Sequence, residues 1–158
     1  MVIGSDMRHP VSEELALHLE ERGLSVVRCG AVGAPDTPWP AVAEQVGRLV
    51  AQGVVESGIV CCWTGTGVSI AANKVPGVRA ALCSDAQTAR GARRWNDANV
   101  LALSLRATSA AVAEEIVDAW FEPTPPDPDE AENIRAVEEI ERRYRERGAP
   151  TGSIHADP

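Results

Sequence analysis

The chain has 158 residues, 44% of them hydrophobic and 24% charged, the balance of a single soluble domain with one continuous core. Aromatic residues are only 4%, so that core is built from Ala, Val, Leu and Ile. A net charge of −8 with a pI near 4.9 argues against nucleic acid or an anionic membrane as the main partner, because both need a basic face.

In chain order, Met1–Ser5 is a short apolar strand ending in Asp6. Ser12 opens an amphipathic helix over Glu13–Arg22, stopped by Gly23. Leu24–Cys29 reads as a second strand, Gly30–Pro40 as a Gly- and Pro-rich loop, and Pro40–Val50 as a second helix. Gly58–Cys62 is a compact buried strand running straight into Trp63-Thr64-Gly65-Thr66-Gly67, and a short helix follows over Val68–Lys74. Val78–Cys83 is the fourth strand, Asp85–Trp95 a helix, Asn99–Leu103 the fifth strand and Thr108–Trp120 another helix. Strands alternating with helices of this length predict right-handed βαβ units, hence a five-stranded parallel sheet covered on both faces, an α/β/α sandwich spanning residues 1–121.

The segment 122–128, Glu122–Pro128, holds four prolines and reads as an extended linker. Residues 129–147 form a charged helix of the same domain, whose narrow stripe of Ile134, Val137, Ile140 and Tyr144 predicts packing on a neighbouring subunit. The polar segment 148–158 is expected to be a flexible tail. No apolar stretch is long enough to span a membrane and no leader pattern opens the chain; with Cys29, Cys61, Cys62 and Cys83 in apolar runs, this predicts a cytoplasmic protein with reduced thiols. No Cys/His cluster has zinc spacing, so neither metal nor other cofactor is expected. The use of 14 Arg against the single Lys74 is read as compositional bias.

In an open α/β sheet, ligands sit beyond the carboxyl ends of the strands. The most informative end is Cys62-Trp63-Thr64-Gly65-Thr66-Gly67-Val68-Ser69. Two glycines two apart let backbone amides approach a ligand oxygen, and the helix that follows adds its positive end. Cys62 stands just before this nest, where the same field favours thiolate. A thiolate beside an anion-stabilising loop suits proton abstraction next to a carbonyl and stabilisation of the resulting enediolate. By spacing alone, a tight strand-to-helix turn behind two core cysteines explains the motif equally well; it is neither a dinucleotide fingerprint nor a nucleoside triphosphate loop.

The run from Gly58 to Arg106, with SIAANK, GVRAALC and NDANVLAL, resembles the family of type B ribose-5-phosphate isomerases and galactose-6-phosphate isomerases, and VIGSD extends the likeness over about the first 120 residues. The resemblance implies a Rossmann-like α/β sandwich, a homodimer or dimer of dimers with shared active sites, and aldose–ketose isomerisation through a cis-enediolate without cofactor. It places Cys62 as the proton-abstracting base and Thr64, Gly65, Thr66 and Gly67 as the enediolate-stabilising loop, with Trp63 at its mouth. Asp6 and Asn96 fall on sugar-contacting positions, and Arg106 on one that holds the anionic end. Asn73 and Lys74 belong to the shared motif, Lys74 with a structural role.

Several positions depart from the family pattern. Met7 replaces a histidine, and Trp95 stands where the family has the histidine that assists ring opening; an indole cannot relay a proton. Trp63 replaces a glycine, and Trp39-Pro40-Ala41 replaces Tyr-Pro-Asp. Glu132, Asn133, Arg135 and Ala136 occupy the positions of a phosphate-clamping basic cluster. Residues 121–158 also carry ten acidic against five basic side chains, which counts against a phosphorylated substrate. The pattern points to retained proton-transfer chemistry on a different sugar or sugar phosphate, with ribose 5-phosphate itself left open. Trp39, Trp63 and Trp95 are candidates to line the pocket, since aromatic faces suit the apolar face of a sugar ring. His9 is a candidate replacement for the lost histidine. The Arg90/Arg93/Arg94 group reads as a solvated helix face with partners one turn away. The competing functional reading is a non-catalytic sugar- or nucleotide-binding descendant. A weaker one is a redox role for Cys61 and Cys62, which neighbouring residues on one strand disfavour because they face opposite ways.

Overall fold

The computed structural model describes residues 1–123 and 125–146. The strands are β1 (Val2–Ser5), β2 (Val27–Gly30), β3 (Gly58–Cys62), β4 (Ala80–Leu82) and β5 (Val100–Ser104). The helices are α1 (Pro10–Glu21), α2 (Trp39–Ala51), α3 (Thr66–Ala72), α4 (Ala86–Asn96), α5 (Ala110–Trp120) and α6 (Ala131–Glu146), with a 3-10 turn at Pro128–Glu130. All strand pairings are parallel, in the order β2-β1-β3-β5-β4. The expected α/β sandwich is the fold.

Period-two alternation along buried strands separates the core into two layers. Ile3, Ile59, Cys61, Leu101 and Leu103 point to the side covered by α1, α4 and α5, where Leu15, Leu19, Ile116 and Trp120 pack. Val2, Val60, Cys62, Val100 and Ala102 point to the side covered by α2 and α3, against Val46, Val68 and Ala72. Crossovers of a single hand require this division, because the chain steps one way along the sheet through α1 and α4 and the other way through α2 and α3. The two directions part between β1 and β3. There the strand ends diverge and leave a crevice at the carboxyl edge.

Several boundaries move for identifiable reasons. Helix α1 starts at Pro10, not after Ser12, because His9 caps it: the Val11 N–H donates to His9 Nδ1 at 3.3 Å. Its end is closed by Gly23 at φ +81°, with Gly23 N–H to Glu20 O (2.9 Å) and Leu24 N–H to Leu19 O (3.1 Å); this turn consumes the residues expected to begin β2. Strand β4 is shorter than expected because the Arg79 N–H donates to the Asn99 side chain at 2.8 Å and not to a neighbouring strand. The arginines of α4 do not pair one turn away. Arg90 forks onto Glu122 (2.7 Å twice), Arg94 holds Asp127 (2.9 Å), and Arg93 donates to Ala98 O while lying 5.4 Å from the Trp120 ring centre. These contacts bind the start of the proline-rich segment to α4, so the arginines anchor the linker. Helix α6 turns Val137, Ile140 and Tyr144 to solvent. The expected tail at 148–158 lies outside the described residues.

Candidate active site

Strand β3 ends at Cys62, whose carbonyl oxygen accepts from Gly65 N–H (3.2 Å) and Leu105 N–H (3.0 Å). The next carbonyl, of Trp63, accepts from Arg106 N–H (3.0 Å) and the Ser104 hydroxyl (3.0 Å). The loop is thus bolted to the end of β5 on both of its first two residues. Gly65 follows at φ +73°, and a Cβ there would lie 2.9 Å from the carbonyl oxygen of Leu103. Only glycine fits, and its reversed backbone turns the chain into α3. The Thr64 and Thr66 hydroxyls bond to one another at 2.7 Å on the exposed side of the turn.

Gly67 is closely approached from another side. A Cβ at that position would be 3.1 Å from the Trp39 ring, so the indole at the start of α2 lies against the loop backbone. Trp39 and Trp63 are 43% and 50% exposed, flanking a Cys62 that is 5% exposed. The aromatic pair thus borders the loop.

Asp6 joins this edge from β1. The register pairs Ser5 with Cys61, so Asp6 follows directly at the carboxyl end, next to the last residues of β3 and within electrostatic reach of the Cys61 thiol. Burial pushes its carboxyl above the ordinary value and nearby Asp36 adds to this, while the backbone N–H groups of Asp6 and Met7 pull the other way. Cys61, fully enclosed on the opposite face, is pushed up to about 12 by burial and is an inert core thiol. Cys83 is likewise pushed up to about 11, by burial and then by Asp85. All four cysteines are unpaired.

The structure therefore brings Asp6, Cys62, Trp63, Thr64, Gly65, Thr66, Gly67, Trp39 and the backbone of Arg106 to one crevice. The Arg106 side chain is exposed and makes no hydrogen bond or ion pair among the described residues. His9 starts α1 at the same edge, but its Nδ1 is committed to the helix cap and its surroundings are a shallow 300 Å³ depression with Arg8, Glu13, Glu14 and Leu17. Trp95 and Asn96 are not brought in. They end α4, which runs back along the sheet, and the neighbouring Asn99 carbonyl accepts from Gly58 N–H at the start of β3. Cys62 ends that same strand, about 13 Å away by strand rise. Trp95 and Asn96 instead border a 740 Å³ groove between the body and α6, with Ile134, Val137, Ile140 and Tyr144 on its far wall. Among the described residues no cluster of three or more His, Cys, Asp or Glu could hold a metal, and no helix is long and apolar enough to cross a membrane.

Sequence reasoning missed Ser104, whose hydroxyl fixes the Trp63 carbonyl and accepts from Ala107 N–H (3.2 Å). A polar residue closing the apolar run NVLAL was its signal. It also missed the work of Asn73, whose side chain pairs with both the N–H and C=O of Ala80 (2.8 Å each) and donates to Ser69 O (3.0 Å). That amide ties the end of α3 to β4.

A family model described as Ribose/Galactose Isomerase matches residues 1–140. The ribose-5-phosphate isomerase B of Escherichia coli is 39% identical over 141 residues, 89% of this chain and 92% of that protein. A galactose-6-phosphate isomerase subunit, LacB, of Clostridium acetobutylicum is 33% identical over 144 residues, 89% and 83% of the two chains. Among solved structures, the ribose-5-phosphate isomerase B of Clostridium thermocellum superposes with a TM-score of 0.83 at 39% identity, covering 91% of this chain and 99% of that one.

Proposed function

The chain belongs to the ribose/galactose isomerase family and is an aldose–ketose isomerase, and from that premise we propose that it interconverts an aldose and a ketose sugar phosphate through a cis-enediolate, with Cys62 as the base. The observation that carries this reading is the thiol of Cys62 at the foot of a loop whose backbone is reversed at Gly65 and approached by the Trp39 ring at Gly67. Cys62 removes the proton from the carbon beside the substrate carbonyl. The amides of Thr64, Thr66 and Gly67 and the threonine hydroxyls receive the charge that develops on oxygen, in a loop already oriented by the Gly65 N–H bond to the Cys62 carbonyl. The free guanidinium of Arg106 takes the anionic end of the substrate. Phosphorylated sugars in the relatives' names support that class over the unphosphorylated one suggested by the acidic C-terminal quarter.

The site is completed by a second copy of the chain. Asn96 and Trp95 stand at the wrong end of their own protomer, beside an apolar groove, and α6 offers an uncovered apolar face. A two-fold dimer bringing the groove of one protomer to the Cys62 loop of the other places Asn96 on the sugar and α6 on the partner.

The test is turnover of ribose 5-phosphate and galactose 6-phosphate by the wild type and by Cys62→Ala. The reading requires turnover of at least one by the wild type and its loss in the variant, with the thermal transition unchanged. A wild type inert toward both, or a fully active Cys62→Ala, contradicts it.

A further inference from the structure

Among the described residues, one buried side-chain polar atom lacks a hydrogen-bond partner: Oδ1 of Asp6. Native interiors hold few such atoms. This one belongs to the residue that follows β1, at the carboxyl end where β1 pairs with β3 up to Ser5 and Cys61, and its other carboxyl oxygen is not shut off in the same way. A carboxylate spreads its charge over both oxygens, and a buried oxygen without a donor stabilises none of it. The neutral acid can leave Oδ1 as a bare carbonyl oxygen and keep its O–H on the open side.

The surroundings favour that state. Asp36, from the loop before α2, adds negative charge; the Cys61 thiol on β3 lies within electrostatic reach; Arg8 and His9 follow Asp6 toward α1. No cation forms a salt bridge with it among the described residues. Burial accordingly holds its carboxyl above the ordinary value. A bound sugar excludes water from the open side and moves it further the same way.

An enediolate mechanism with one base is incomplete, because a proton must also move between two neighbouring oxygens. In this chain the residue after Asp6 is Met7, Nδ1 of His9 is engaged in the α1 cap, and Trp95 has only a donor N–H. The Thr64 and Thr66 hydroxyls are too weakly acidic to lead that transfer.

We propose that Asp6 is the second acid–base group of the isomerisation, a neutral carboxylic acid that protonates one substrate oxygen and deprotonates its neighbour. The proposal rests on the reading of Cys62 as the base. Starting from the aldose, the Cys62 thiolate takes the proton from C2, the C1=C2 bond forms, and Asp6 gives its proton to O1. The resulting Asp6 carboxylate takes the proton from the O2 hydroxyl, and O2 becomes the carbonyl oxygen. The Cys62 thiol returns its proton to C1. Thiolate and carboxylic acid are both restored, and nothing else is consumed.

The experiment follows ribose 5-phosphate and galactose 6-phosphate in D2O by NMR, reading isomerisation and solvent exchange of the carbon-bound proton together. In Asp6→Asn, kcat is expected to fall about 10²- to 10⁴-fold with KM changed only a few-fold. Exchange falls less than isomerisation, because Cys62 still makes and reprotonates the enediolate, so exchange events per turnover rise about tenfold or more. Wild-type kcat/KM falls as pH rises through the Asp6 titration, and the variant lacks that limb. A raised KM with near-normal kcat, or equal losses of exchange and turnover, overturns the proposal and leaves Asp6 as a sugar contact. Exchange persisting in Cys62→Ala overturns the reading of the base instead. A wild type that neither turns over nor exchanges either sugar overturns both.

Discussion

At the carboxyl edge of the sheet, the loop after β3 is held at successive residues: Cys62 and Trp63 by Leu105, Arg106 and Ser104, Gly65 by its reversed backbone, and Gly67 by the Trp39 ring against it. At the amino edge, Trp95 and Tyr144 are 49% and 68% exposed around a 740 Å³ groove, and α6 reaches the body through Glu141 on Gly77 N–H (3.0 Å) and Glu138 near Arg79 (3.9 Å). The first region presents groups that reacting atoms need within tenths of an ångström, and the sheet supplies that rigidity. The second presents surface that one protomer leaves uncovered. On the proposed reading, Cys62 and its loop lie in one chain, and Asn96 and the cover over the substrate come from a second copy.

The sharpest way to break this contrast is to disturb the rigid edge. Gly65→Ala forces a Cβ to 2.9 Å from Leu103 O at a positive φ, and should lower stability by about 1–3 kcal/mol and abolish turnover, checked by denaturant melts and assay. The assembled edge is tested by mixing. Cys62→Ala and Asn96→Ala should each be inactive as homodimers, whereas an equal mixture after subunit exchange should recover about a quarter of wild-type activity, since one site in four is then whole. Recovery of none from two inactive variants would place Asn96 and Cys62 in a site of the same protomer, and an active Asn96→Ala would place Asn96 outside the site.

Smaller effects sharpen the same distinction. Asn73→Ala removes three hydrogen bonds that tie α3 to β4 and should cost about 1–3 kcal/mol, with faster amide exchange confined to Thr66–Ala72 and the β4 segment. Asp6→Asn should gain stability at neutral pH. A carboxyl raised in the folded state contributes stability at low pH that is lost as pH rises through its folded value, so removing the ionisation raises the melting temperature at pH 7 and leaves it unchanged at pH 3. Asp85, Glu122 and Asp127 act with the opposite sign: each is lowered by hydrogen bonds, to Thr88, Arg90 and the Asp129 N–H with Arg94 respectively. Their contribution is present above the ordinary carboxylate range and disappears as pH falls below it.

The layered fold was legible because it rests on local signals. GIVCC and NVLAL read as buried strands from composition alone, and β3 matches its expected span residue for residue. Boundaries moved where a side chain did the work of backbone, His9 capping α1 and Asn99 holding Arg79, and where the reversed backbone of Gly23 closed α1 over the start expected for β2. At the site, Cys62 through Gly67 are contiguous, so their juxtaposition follows from the chain itself. Asp6 required strand order, which puts β1 beside β3. The separation of Trp95 and Asn96 from Cys62 was not legible, since it depends on α4 running antiparallel to the strands with its last turn at the far edge. The partners of Arg90 and Arg94 were equally hidden, because Glu122 and Asp127 lie more than thirty positions away.

The central claim, that Cys62 is the base of an enediolate isomerisation, is tested most directly by incubating wild type and Cys62→Ala with ribose 5-phosphate and galactose 6-phosphate in D2O and reading deuterium at the carbon beside the carbonyl. Incorporation by the wild type and none by a folded Cys62→Ala is the predicted result; equal incorporation by both would contradict it.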